Sequence, residues 1–83
     1  MTGDQAAVEA ELELTVAADP TAAAAWLHLA EMKFKSGRRE AAEAAYRRRL
    51  ALRPDDPHAE LGLARIVQLR GQDDLAAELR AAC

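Results

Sequence analysis

The sequence predicts an all-α fold of five antiparallel helices, and three observations predict it. The 83 residues include twenty-one alanines and eleven leucines but only four β-branched aliphatics, Val8, Val16, Ile66 and Val67. Alanine is the strongest helix former and carries little apolar area, which favours helices packed close together over a sheet sandwich. The chain breakers are few and evenly placed: Gly37 and Gly71 stand 34 residues apart, and so do Pro20 and Pro54. Between the breakers, apolar residues recur at helical spacing.

The first predicted helix runs from about Asp4 to Ala18 and stops ahead of Asp19-Pro20, because a residue before proline avoids the helical region. The second runs from Thr21, a candidate N-cap, to Ser36, with Gly37 as the left-handed residue that ends it. On it Trp26, Leu29, Ala30 and Lys33 share one face, and Leu27 and Phe34 adjoin them. The third covers Arg38 to Leu52, with Ala42, Ala45, Tyr46, Leu50 and Leu52 turned inward. The fourth begins with Asp56 as cap and Pro57 in the first turn, where its missing N–H does no harm. It is expected to end near Arg70, before Gly71. Its Leu61, Leu63, Ala64, Val67 and Leu69 cover two faces, so it needs cover from two sides. The fifth spans Gln72 to about Ala82, with Asp73 and Asp74 at the positive end of its dipole.

Sliding the chain by 34 residues superposes Leu29-Ala30 on Leu63-Ala64, Ala41-Ala42 on Leu75-Ala76 and each breaker on its mate. A fixed period of that size marks helix–turn–helix repeats. Through Trp26, Leu29, Ala30, Gly37, Ala42, Tyr46, Leu50 and Pro54, the stretch Ala23 to Asp56 resembles a tetratricopeptide repeat. The resemblance implies a right-handed α–α superhelix in one domain over 1–83. Residues 4–18 would be a lone helix from a preceding unit, 23–56 a full repeat and 57–83 a second, incomplete one. Trp26 and Tyr46 would fill the wedges between helices. Four residues depart from the pattern: Lys33 where an aromatic is usual, Arg49 for a small residue, and Glu60 and Arg80 in place of Trp26 and Tyr46 one repeat on. Those two losses weaken the anchoring of the last helix or make it a solvent-facing cap.

Composition narrows the function. Charged residues make up 30% of the chain with a net charge of −3, an ordinary soluble surface rather than a basic nucleic-acid domain. No stretch approaches the roughly 20 apolar residues a membrane span needs, and the start carries no signal-peptide pattern, so the expected location is cytoplasmic. There is no Gly-rich phosphate loop, and Ser36 is the only serine. The reading is therefore not an enzyme, with no cofactor, metal, membrane or nucleic acid implied. His28 and His58 could look into one groove, but two histidines without a carboxylate at ligand spacing make a poor metal site. The arginines Arg38, Arg39, Arg47, Arg48, Arg49 and Arg53 read as a solvated face paired with Glu40 and Glu43 rather than as an anchor for acidic partners.

The expected function is a scaffold binding a protein or peptide. By the resemblance, the concave groove is lined by Leu27, His28, Glu31, Phe34 and Lys35 from one helix and by His58, Leu61, Arg65 and Gln68 from another. The chain has no asparagine, and Leu27 and Glu31 stand where a carboxylate clamp would want Lys and Asn. Two alternatives stay open. One is self-association through terminal helices bearing Val8, Leu12, Val16, Leu75 and Leu79. The other is a carrier or substrate peptide that works through the terminal thiol of Cys83, as a modification or disulfide site.

Overall fold

The computed structural model describes the backbone of residues 3–82 and the side chains of residues 5–81. Four helices account for it: α1 (Gly3–Ala18), α2 (Ala23–Lys35), α3 (Arg39–Leu52) and α4 (Pro57–Ala82), with no strand among the described residues. They pack in chain order, α1 on α2, α2 on α3 and α3 on α4.

The expected break at Gly71 is absent, so the fourth and fifth predicted helices are one rod of 26 residues. The two glycines differ in backbone state. Gly37 has φ 84° and is the only positive-φ residue among those described. The Arg38 N–H donates to the Lys33 carbonyl (2.9 Å) and the Gly37 N–H to the Phe34 carbonyl (3.1 Å), the hydrogen-bond pair of a Schellman ending. A turn of that kind is stabilised by what the returning helix buries. After Gly37 the returning helix brings Tyr46 back; after Gly71 it would bring Arg80 back towards Glu60. With that apolar gain removed, extending the helix adds one hydrogen bond per residue and prevails.

The entry to α2 also differs from expectation. Ala22, not Thr21, occupies the cap position and makes no side-chain cap bond. The Asp19 carboxylate organises the turn instead, accepting from the Thr21 N–H (3.0 Å) and hydroxyl (2.5 Å). Asp56 does cap α4: its Oδ1 accepts from the His58 N–H at 3.3 Å.

The buried core is Val16, Ala25, Leu29, Ala30, Ala42, Ala45, Tyr46, Ala59 and Ile66. Alanines dominate it, which lets the helix axes close up until Tyr46 and Ile66 fill what remains. Trp26 is only half-buried. Its Nε1 donates to the Pro20 carbonyl (2.8 Å), and the Arg48 guanidinium sits 5.7 Å from its ring centre. Trp26 thus pins the α1–α2 turn at the edge of the core rather than filling a central wedge.

The inward face of α4 matches expectation only in part, at Leu63, which packs against the core. Ala59, Gly62 and Ile66 point inward, while Leu61 (54% exposed) and Val67 (55% exposed) face out. Gly62 explains the choice. A Cβ there would fall 2.6–2.7 Å from both Cε atoms of the Tyr46 ring. Only a glycine lets the phenol lie against the α4 backbone, and that contact sets which side of α4 meets α3.

The three glycines therefore respond differently to alanine in a urea titration. Gly62→Ala is expected to cost about 1–3 kcal/mol through overpacking. Gly71→Ala, in open space within a helix, is expected to gain about 1 kcal/mol. Gly37→Ala loses stability because alanine resists the left-handed backbone. A Gly71→Ala variant destabilised at concentrations where the chain is monomeric would show a turn at that position.

Candidate partner-binding groove

Two helical stripes frame the candidate groove. On α2, His28, Glu31 and Lys35 are exposed, while Leu27 and Phe34 are half-buried and pack against the core. On α4, His58, Leu61, Arg65 and Gln68 are all exposed and follow spacings of three, four and three, which holds them on one side of the helix. Tyr46, on α3, packs against Gly62 of α4. Burial raises its phenol pKa, the Glu31 charge raises it further, and Arg65 opposes the rise. Glu31 of α2 and Arg65 of α4 thus bear on one phenol with opposite sign. The two stripes offer leucine, phenylalanine and both signs of charge. Among the described residues, no three His, Cys, Asp or Glu side chains converge as metal ligands. Cys83 lies outside the described residues.

Four of the six arginines on α3 and its approach, Arg38, Arg39, Arg47 and Arg49, pair with carboxylates, and Arg38 and Arg47 stay exposed. Arg38 grips the Glu9 carboxylate of α1 with both Nη atoms (2.7 and 2.5 Å), and Arg39 pairs with Asp73 of α4. Glu43 takes Arg47 (2.6 Å) within α3 and Arg70 from α4. Arg49 donates to Asp56 at 2.8 Å, in a pair with side chains 17% and 7% exposed. Of the expected partners, Glu43 is used, while Glu9, Asp56 and Asp73 were not anticipated. Lys33 fits the same scheme: its Nζ lies 3.4 Å from Glu9 and 3.7 Å from Glu13. Within the repeat, each charged departure from the family pattern answers a carboxylate on a neighbouring element. Open depressions lie elsewhere, one at the α3–α4 turn around Arg49 and Pro54 and one beside α1 around Glu9 and Met32.

Compared with known families, residues 23–66 match the one described as tetratricopeptide repeat, just over half of the chain. The chain belongs to the tetratricopeptide repeat family. The match opens on the first residue of α2 and closes at Ile66, so it takes in the α2–α3 hairpin and the start of α4 that packs on it. The match thus takes in all of the buried apolar core except Val16. Neither the comparison with curated proteins nor that with solved structures returned a match.

Acid should loosen the repeat and its α1 neighbour. Arg38, through its hydrogen bonds, holds Glu9 down at about 2 from an ordinary 4.5. Arg70 and then Arg47 lower Glu43, and Arg49 lowers Asp56. Because the unfolded chain binds these protons more readily, the stabilisation is complete above the ordinary carboxylate range. It is lost as pH falls from about 5 towards 2. The urea midpoint is expected to drop across that window, and Glu9→Gln to flatten the drop. A midpoint independent of pH there would show that the pairs contribute nothing.

Proposed function

We propose that this chain is a non-catalytic interaction module that holds a peptide or protein segment between α2 and α4. The observation that supports the reading is the pair of exposed stripes, His28, Glu31 and Lys35 on α2 and His58, Leu61, Arg65 and Gln68 on α4, with Glu31 and Arg65 acting with opposite sign on the Tyr46 phenol. Apolar contacts at Leu27, Phe34 and Leu61 would supply affinity, and the charges of Glu31, Lys35 and Arg65 would set register and orientation. His28, His58 and Gln68 complete the lining as polar contacts. In this reading the elements follow the right-handed superhelix of the family, and 1–83 act as one domain. No described helix is long and apolar enough to cross a membrane.

The test is a triple substitution, Leu27→Ser, Glu31→Lys and Arg65→Glu, assayed against a partner isolated with the wild-type chain. Affinity is expected to fall at least tenfold, equivalent to about 1.4 kcal/mol, with the helical circular dichroism spectrum unchanged. Undiminished affinity in a folded triple variant would move the site off this groove.

A further inference from the structure

We propose that α4 pairs antiparallel with α4 of a second copy of this chain, along a seam through Leu61, Ala64, Gln68, Gly71, Leu75 and Leu79. Spacings of three and four keep these residues on one side of the rod, turned away from the Ala59–Gly62–Ile66 face that meets α3. Leu61, Leu75 and Leu79 are 54%, 56% and 61% exposed, and every described side chain from Arg70 onward is exposed. A helical arm of that length is marginal in water unless something packs along it.

The area points to one partner of similar size. The chain exposes 5893 Å², whereas a compact 9.0 kDa monomer exposes about 4,900 Å². The excess, about 1,000 Å², is close to the roughly 800 Å² that each partner contributes to a standard interface. The radius of gyration, 14.8 Å against about 12 Å for a compact chain of this length, has the same origin in the projecting arm.

The spacing points to a second copy. Leu61 and Leu79 lie nine residues to either side of Arg70. Antiparallel pairing about that level sets Leu61 of each copy against Leu79 of the other, as a two-fold contact requires. At the crossing, Gly71 has nothing within 4 Å of a built Cβ, so the two backbones can close there. Gln68 and Gln72 flank it with amides able to bond across the axis. Arg70 and Asp73 keep their pairs with Glu43 and Arg39 on the opposite side of α4. The pairing does not rest on the peptide reading, although it occupies Leu61 and Gln68 of the same wall.

Two measurements in a Cys83→Ser background test it. Light scattering across a concentration series is expected to approach twice 9.0 kDa. Leu75→Glu with Leu79→Glu, both outside the proposed groove, should return the monomer. Under native oxidation, a Leu61→Cys/Leu79→Cys double variant should form a covalent dimer, and neither single variant should. The proposal is overturned by a chain that stays monomeric at every concentration, or by a dimer indifferent to the two glutamates. Single-cysteine variants that cross-link as readily as the double would also overturn it, since they require a parallel arrangement.

Discussion

Tyr46 lies against the backbone of α4 at Gly62, and the orientation of everything C-terminal to α3 follows from that contact. A side chain at position 62 would collide with the ring, so the glycine admits the phenol and the phenol selects the glycine side of α4. Once that side is chosen, Ala59 and Ile66 must be buried. Leu61, Arg65 and Gln68 must then face away from α3, where they form one wall of the candidate groove. The packing contact and the binding surface are two consequences of the same placement.

Charge organises what the small core leaves loose. An alanine-rich interior buries little area per helix, and the helices are also tied by ion pairs that cross between elements: Glu9 to Arg38 and Lys33, Asp73 to Arg39, Glu43 to Arg70, Asp56 to Arg49. The exposed pairs contribute little one by one. The Arg49–Asp56 pair differs, because it is nearly enclosed and Asp56 also caps α4. That carboxylate serves two elements at once, joining the end of α3 to the start of α4.

The helical class, the α2–α3 hairpin and its left-handed stop at Gly37 were legible in the residues because local signals agreed there: a glycine, a helical apolar stripe and an aromatic on each side. Gly71 repeated only the glycine. Whether a glycine ends a helix depends on what the following segment can bury, and Arg80 in place of an aromatic removed that reward. The inward face of α4 was legible only at Leu63, for a related reason. Apolar counting favours leucines, whereas the face that packs is centred on Ala59, Gly62 and Ile66, with Leu63 beside them. A glycine inside a helix costs stability relative to alanine, and that cost was the available sign of a close approach. The arginine face of α3 was legible in kind, but its partners on α1 and α4, Glu9 and Asp73, are separated from Arg38 and Arg39 by 29 and 34 residues, beyond any helical spacing rule.

The contact between Tyr46 and Gly62 can be observed directly by nuclear magnetic resonance. The account predicts cross-relaxation between the Tyr46 Hε protons and the Gly62 Hα pair, with at least one Gly62 Hα displaced by the ring current. Gly62 Hα protons at unperturbed shifts, with no transfer to Tyr46, would mean that α4 meets α3 through another face.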